Sequence, residues 1–231
     1  MPSNTLHLHR LQLCIAACRG DAPTCLDLLR AGTDPNVKWS SCITMEQEYD
    51  LSAAAFSAPS SGGQNGFWHS TASAFKTRPL WMAARFGHAN CCAVLSRYGA
   101  LVNAVDSSQD EFGTSALYEA ATHFYPEAVH TLLEAGADPN NISNESTGTI
   151  LQDVLIRQTS CPNDAELKLR TCRALLQGGA NPNRISPGNP SFPISIASCN
   201  QECSLVQMLL QFGARTQPAH HWMSRLLSRF L

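Results

Sequence analysis

Two cysteine pairs have the residue type and spacing that first suggest chemistry. Cys14 and Cys18 stand four positions apart, as do Cys199 and Cys203, so on a helix each pair would present both thiols on one face. Metal ligation is one use of such pairs, but structural zinc favours closely spaced cysteine pairs that close a single compact site. Because these pairs lie near opposite ends of the chain, we interpret them as packing residues and predict no metal site and no cofactor.

A catalytic thiol is the second chemistry that cysteine allows. Cys91 and Cys92 are adjacent, but a nucleophilic cysteine needs a nearby base and a lowered pKa, and the sequence identifies neither. The segment Gly62–Gly66 lacks the Lys-Ser/Thr that a phosphate-binding loop requires. We therefore predict no catalytic residues and no enzyme, and keep a thiol-based enzyme or redox protein as the alternative of another class.

Composition narrows the classes of partner. Of the 231 residues, 44% are hydrophobic and only 15% are charged, with a formal net charge of −2. Such a chain can bury a core, whereas binding to nucleic acid requires clustered Lys and Arg to neutralise phosphates. No run of about 18 apolar residues is present, and the first residues lack the apolar stretch of a signal peptide. We expect neither nucleic acid nor a membrane as partner, and a reducing compartment, the cytoplasm with the nucleus as alternative.

One phrase recurs along the chain: an apolar pair, a short gap, a glycine, and a turn that ends in Asn. Clear copies run from Leu28 to Asn36, from Leu132 to Asn140 and from Leu175 to Asn183, with weaker copies from Leu95 to Asn103 and from Leu209 to Gln217. A pair of small or apolar residues precedes each copy: Ala16–Ala17, Ala83–Ala84, Ala120–Ala121, Val154–Leu155 and Ala197–Ser198. Small pairs let a first helix approach its neighbours closely, and the glycine predicts a left-handed end to a second helix.

The spacing of these features is regular. From the start of the first helix to the last turn residue we count 25 positions in four copies, 11 to 36, 78 to 103, 115 to 140 and 192 to 217, and 34 in the copy from 149 to 183. The pattern resembles the ankyrin repeat, whose phrase joins Thr-Pro-Leu-His, a small pair, Gly-His, an apolar pair and Gly-Ala-Asp-x-Asn. The resemblance implies an all-α solenoid of about five helix-turn-helix units with short β-hairpin-like fingers, because one unit cannot cover its own apolar face.

The implied units are about 5–36, 73–103, 110–140, 144–183 and 187–217, within a repeat domain over residues 1–217. Residues 37–72 read as an inserted loop rich in Ser, Ala and Gly, and a degenerate repeat within 37–77 is the alternative. A surplus of about nine residues around 159–165 should lengthen the connection between the two helices of the fourth unit. Residues 218–231 have apolar residues at helical spacing, which predicts a C-terminal helix that either caps the stack or docks a partner.

The resemblance also implies a function, because ankyrin proteins usually hold a protein partner on the concave face formed by the fingers and the first helices. Carried over position by position, and favouring Arg and aromatic residues as interface anchors, it predicts partner contacts at Arg19, Arg85, Phe86, Glu111, Phe112, Thr122, His123 and Arg157. We therefore predict an adaptor or scaffold protein, monomeric on its own.

A ubiquitin-ligase role is the alternative within this class. The insertions and the segment from Leu209 to Ala214 resemble those of ankyrin proteins that end in a suppressor-of-cytokine-signalling box, which would make the chain a substrate-recognition subunit. Only 14 residues follow the last unit, and they contain no recognisable box.

Two further expectations follow from the family pattern. Asparagine hydroxylation in this family falls on the turn asparagine, which implies Asn36 and Asn140 as modification sites, while a simple turn-forming role is the alternative. The family's His in the helix start is replaced here by Cys14, Trp81, Tyr118, Gln152 and Ser195. Because the Thr–His pair of the family hydrogen-bonds this turn, we expect these units to lack that support.

Overall fold

The structure is a computed structural model that describes residues 3–40, 76–107, 113–141, 148–159 and 162–215. The chain divides into two units, Met1–Asp138 and Pro139–Leu231. The positions of the predicted inserted loop, apart from its first residues up to 40, and of the predicted C-terminal helix lie outside the described residues. No described helix has both the length and the apolar character needed to cross a bilayer.

Three helix pairs form the described part of the first unit. They comprise α1 (Ser3–Arg19), α2 (Ala22–Arg30), α3 (Pro79–Arg85), α4 (Ala89–Arg97), α5 (Ala116–Thr122) and α6 (Pro126–Glu134). The first helices of the pairs, α1, α3 and α5, pack side by side, and the second helices, α2, α4 and α6, do the same. This mostly helical arrangement confirms the predicted all-α fold class.

Short strands connect the helix pairs of this unit. They are β1 (Trp39–Ser40), β2 (Lys76–Thr77), β3 (Val105–Ser107) and β4 (Gly113–Ser115). All neighbours are antiparallel, in the order β1-β2-β3-β4, with Thr77 opposite Trp39 and Ser115 opposite Val105. These strands are the β-hairpin-like fingers that the resemblance implies, and they fix the chain just before α3 and α5.

Small side chains fill the contacts between the first helices. Ala17, Ala83, Ala84, Ala120 and Ala121 have no exposed surface, so the helix backbones approach closely with little side-chain volume between them. The glycine after each second helix has a positive φ, as predicted, with values from 82° to 92° at Gly32, Gly99, Gly136, Gly179 and Gly213. The repeated phrase thus fixes both the packing and the ends of the helices.

Four helices form the described part of the second unit: α7 (Ile150–Ile156), α8 (Pro162–Gln177), α9 (Pro193–Cys199) and α10 (Cys203–Gln211). The expectation that the surplus around 159–165 lengthens the connection between α7 and α8 is wrong in its main part. Most of the surplus extends α8, which has 16 residues where α10 has nine. Proline at the first helical position and Asp164 in the first turn favour this early start.

The expected loss of hydrogen bonds at the helix starts is also wrong for two units. Ser115 accepts a hydrogen bond from the backbone of Tyr118 at 3.2 Å. Thr149 and Gln152 form a reciprocal capping box, and Nε2 of Gln152 donates to the backbone oxygen of Ser191 at 2.6 Å. Glutamine can donate and accept at once, so it replaces the histidine of the family pattern.

Candidate functional site

The cysteines are mostly buried. Among the described cysteines, Cys14, Cys18, Cys25, Cys91, Cys92 and Cys172 are buried and Cys199 and Cys203 are exposed. Burial raises the pKa of Cys18, Cys92 and Cys172 to about 12. A hydrogen bond from Cys25 lowers the pKa of Cys91, but Cys91 has no exposed surface. A reactive cysteine is partly exposed as well as acidic, and Cys91 is not exposed. The part of the chain that the structure describes holds no cluster of His, Cys, Asp and Glu suited to a metal.

A network of polar side chains joins α3 to α5. Nη1 of Arg85 donates to Oε2 of Glu119 at 2.8 Å and lies 2.7 Å from Nε2 of His123. Nδ1 of His123 lies 2.9 Å from the backbone oxygen of Glu119. Since a carbonyl only accepts, Nδ1 carries the proton and Nε2 accepts from Arg85. The network therefore holds the imidazole neutral and in one orientation.

The same network reaches the finger before α5. Oε1 of Glu119 accepts from the Thr114 hydroxyl at 2.7 Å, and that hydroxyl accepts from Nε1 of Trp81 at 2.9 Å. The Glu119 side chain is only 7% exposed, whereas those of Arg85 and His123 are 24% and 23% exposed. The carboxylate thus lies beneath the surface and fixes Arg85, while Arg85 and the backbone oxygen of Glu119 hold His123.

The structure places the other predicted contact residues differently. Arg19 is exposed at the end of α1, and Phe86 packs against a cluster that includes Leu11, Trp81 and Met82 while it stays partly exposed. Thr122 is a correction to the predicted set. It is 2% exposed, and its hydroxyl donates to the backbone oxygen of Tyr118 at 2.9 Å. The hydroxyl is therefore bonded within α5, and the residue offers no surface to a partner.

The structure does not place three of the predicted contacts relative to this network. Glu111 and Phe112 fall outside the described residues. Arg157 belongs to the second unit, where it follows α7 and is exposed. The structure therefore brings together Arg85 and His123 directly and places Phe86 and Arg19 at neighbouring helix ends of the first unit.

Two residues that lie beside the predicted contacts Arg85 and His123 were not predicted from the sequence. The carboxylate of Glu119 fixes Arg85, but a single Glu in a helix gives no signal of a partner 34 positions away. Phe124 has a φ of 58°, which is unusual for a bulky residue, and occupies the position that Gly20 and Gly87 hold in the preceding pairs. Aligning the repeats against one another would have revealed this aromatic residue.

The turns between the paired helices pack on one another. Gly87 has a φ of 74°, and a methyl group built on it would lie 2.5 Å from Cδ1 of Tyr125 in the next turn. Gly20, with a φ of 77°, is covered in the same way by His88, whose Nε2 donates to the backbone oxygen of Cys18 at 2.9 Å. Each ring therefore occupies the space that a side chain would need on the preceding glycine.

Replacing Gly87 with alanine is expected to destabilise the chain by about 2–5 kcal/mol, from left-handed strain together with displacement of the Tyr125 ring. The matched control is Gly99→Ala, because Gly99 has a φ of 86° but nothing within 4 Å of the added methyl; about 1–2 kcal/mol is expected there. Urea unfolding of the full chain measures both. Equal losses would show that the Tyr125 ring moves aside at no cost.

The turn asparagines link successive repeats. In Asn103, Nδ2 donates to the backbone oxygen of Gly136 at 3.0 Å, and Oδ1 accepts from the backbone N–H of Asp138 at 2.8 Å. The other turn asparagines bridge in the same way: Asn36 to Gly99 and Leu101, Asn140 to Gly179 and Asn181, and Asn183 to Gly213 and Arg215. Each bridge therefore uses the asparagine side-chain amide as a donor and an acceptor at once.

A family model comprising three ankyrin repeats matches residues 13–143, more than half of the chain. This chain belongs to the ankyrin-repeat family. Ankyrin repeats generally mediate protein–protein interaction and are typically non-enzymatic.

Two curated ankyrin proteins are similar to this chain. The human ankyrin repeat and SOCS box protein 16 is 27% identical over 135 residues, which make up 58% of this chain and 26% of that protein. The ankyrin repeat domain-containing protein SAT10 of Stachybotrys chartarum is 29% identical over 221 residues, which make up 92% of this chain and 10% of that protein. This ankyrin chain therefore spans only a minor part of either relative.

The ankyrin turns also contain the two predicted hydroxylation sites. Both amide atoms of Asn36 and of Asn140 are bonded to the following turn. Hydroxylation at these residues stays a prediction.

Proposed function

We propose that this ankyrin chain is a non-catalytic adaptor or scaffold that holds a protein partner on the face formed by α1, α3 and α5. The observation that carries the proposal is the network of Arg85, Glu119 and His123. The side chains of this network that reach solvent are already held in place. A partner that contacts them therefore has to immobilise few side chains when it binds. Pre-organisation of this kind favours association because less side-chain entropy is lost.

A row of equivalent positions supports the choice of this face. Arg19, Phe86 and His123 each stand second after the small pair of their repeat, and all three retain exposed surface. The row combines a cation, an aromatic ring and an imidazole. Arg and aromatic residues are enriched among the residues that dominate binding energy at interfaces, so these three positions are the proposed anchors.

In affinity purification with the tagged full chain, Arg19→Ala with His123→Ala is expected to reduce recovery of a specific partner at least about tenfold, since anchor residues each contribute more than about 1 kcal/mol. The matched control is Arg30→Ala with His130→Ala, which removes the same residue types from exposed positions of α2 and α6. Recovery with the control should equal that of the native chain.

Two outcomes would contradict the proposed face. A partner retained by both variants binds elsewhere. A partner lost by both variants responds to the loss of Arg and His at any exposed position rather than to their loss from α1 and α5. Circular dichroism and a thermal melt of each variant separate loss of binding from loss of fold. Arg85→Glu is unsuitable here because it would place a second carboxylate beside buried Glu119.

The other predicted functions have less support. No observation in the described residues favours a substrate-recognition role in a ubiquitin ligase, and residues 218–231 lie outside them. Burial of six of the eight described thiols weighs against a thiol-based enzyme. The cytoplasmic location and the monomeric state stay predictions.

A further inference from the structure

A single hydroxyl connects the finger strand β4 to the polar network of the first helices. Thr114 lies in β4, opposite Asp106 of β3, and is half-buried. Its Oγ1 lies 2.9 Å from Nε1 of Trp81 in α3 and 2.7 Å from Oε1 of Glu119 in α5. Trp81 and Glu119 are each 5% exposed, so the hydroxyl lies between two buried polar groups that belong to different helices.

The chemistry of these neighbours fixes the direction in which the hydroxyl donates. An indole nitrogen is a donor and never an acceptor, whereas a carboxylate only accepts. Trp81 therefore donates to Thr114, and the one proton of the Thr114 hydroxyl goes to Oε1 of Glu119. The finger thus supplies a donor to the carboxylate, and Trp81 keeps that donor pointed at it.

The orientation of the Glu119 carboxylate follows from this bond. The last side-chain torsion of glutamate is broad and roughly two-fold, so a fixed partner on one oxygen decides where the other oxygen points. With Oε1 held by Thr114, Oε2 accepts from Nη1 of Arg85 at 2.8 Å. The same Nη1 lies 2.7 Å from Nε2 of His123, and the NH₂ group has a second proton for that acceptor. The contact between Arg85 and His123 therefore depends on the Thr114 hydroxyl.

We propose that Thr114 is a positioning residue for the proposed face of α1, α3 and α5. Its hydroxyl holds the Glu119 carboxylate in one orientation, and the carboxylate in turn directs Arg85 onto Nε2 of His123. Thr114 acts through these neighbours and not by touching the partner. The inference rests on the proposed function, because the orientation of His123 matters for binding only if this face holds the partner. The link from Thr114 to His123 is measurable without any partner.

Replacing Thr114 with valine removes the hydroxyl and keeps the β-branched shape, which suits a strand. Oε1 of Glu119 then loses its donor at a place where solvent is nearly excluded. A buried acceptor without a donor is costly, so the carboxylate turns toward other donors. Arg85 follows the carboxylate, and it no longer donates to Nε2 of His123 in one fixed geometry.

Imidazole ¹⁵N NMR of the full chain with labelled histidine measures this effect at about pH 8, where an exposed imidazole is neutral. The His123 signal is the one lost in His123→Ala. In Thr114→Val, the Nε2 resonance of His123 is expected to move toward that of exposed His130. Thr114→Ser keeps the hydroxyl and should keep the native resonance. Thr131→Val is the matched control, since the Thr131 hydroxyl donates to the backbone oxygen of Glu127 within α6, and it should leave the His123 signal unchanged.

Three results would overturn the positioning role: a His123 signal that stays in place in Thr114→Val, one that moves equally in Thr131→Val, or one that Thr114→Ser fails to restore. Thr114→Ala also lacks the hydroxyl and should move the signal in the same direction. The His88 signal reports whether the fold is kept in each variant, because Nε2 of His88 is bonded to the backbone oxygen of Cys18 rather than to this network.

The positioning role and the proposed face fail in different ways. In Thr114→Val, recovery of the partner that Arg19→Ala with His123→Ala loses should fall at least about threefold, since side chains that have become disordered must be immobilised on binding. A His123 signal that moves as expected, with undiminished recovery of that partner, would support the positioning role and overturn the proposed face.

Discussion

Replacing Lys168 with methionine is expected to lower the free energy of unfolding by about 3–5 kcal/mol, because it breaks an ion pair whose cation is buried. Lys168 has no exposed surface. Its Nζ donates to the backbone oxygens of Leu155 and Arg157 at 3.0 and 2.8 Å and to both carboxylate oxygens of Glu202 at 2.8 and 3.0 Å. Methionine has a similar length but donates no hydrogen bond, so it isolates the loss of the ammonium group.

The position of Lys168 explains why the effect should be large. The other first helices are followed by a residue with positive φ, at Gly20, Gly87, Phe124 and Gln201. α7 instead ends at Ile156, and Arg157 has an extended backbone with a φ of −63° and a ψ of 122°. The end of α7 therefore lacks the usual turn. Lys168, supplied by the lengthened α8, bonds the carbonyls of Leu155 and Arg157 there, and Nδ2 of Asn200 also donates to that of Leu155.

The control for Lys168 is Arg173→Met, which removes an exposed cation from the same helix and should change stability by less than about 0.5 kcal/mol. Urea unfolding of the full chain measures both variants. Hydrogen exchange should also speed up at the end of α7 in Lys168→Met alone. If the two variants unfold at the same urea concentration, Lys168 contributes no more than a surface cation, and its proposed role at the end of α7 is refuted.

The sequence predicts the repeated elements of this ankyrin chain well because they depend on local rules. A glycine after each apolar pair, such as Gly99 or Gly136, requires a left-handed backbone wherever it occurs. The small pairs likewise predict the close contacts between first helices. These features can be found from residue type and spacing alone.

The candidate site depends instead on contacts between residues far apart in the chain. Glu119 meets Arg85 across 34 positions, and Lys168 meets Glu202 across the same separation. A lysine in a charged helix is ordinarily taken as exposed, so no spacing rule marks Lys168 as buried. Thr122 shows the reverse error, because its position in the repeat predicts an exposed contact, while its hydroxyl is bonded within its own helix.

A third tertiary ion pair joins the start of α3 to the next finger. Asp106 in β3 is 2% exposed, and Oδ2 accepts from the backbone N–H of Arg78 at 3.0 Å. Its Oδ1 accepts from the guanidinium of Arg78. Arg78 stands where the family has threonine, and it has no side-chain cap of its own. The carboxylate of Asp106 thus caps α3 from the neighbouring finger.

Arg78→Met is expected to cost about 2–4 kcal/mol at neutral pH, because it leaves the buried carboxylate without its counter-charge. Burial already raises the pKa of Asp106 above 3.8, while the Arg78 charge opposes that rise. A raised folded-state pKa means that stability from this group falls as the pH rises through it. Without Arg78 the pKa of Asp106 rises further, so the deficit relative to the native chain should shrink as the pH falls from about 7 to about 4.5 and Asp106 takes up a proton.

Urea unfolding of the native chain and of each variant across this pH range measures the deficit. Arg78→Lys keeps a positive charge and should recover much of the loss at neutral pH, although it cannot reproduce the fork of donors. Arg97→Met removes an exposed cation and should show a small deficit that does not change with pH, since no buried carboxylate loses its partner. A deficit for Arg78→Met that is constant with pH would mean that the lost energy comes from packing of the arginine side chain rather than from the charge of Asp106.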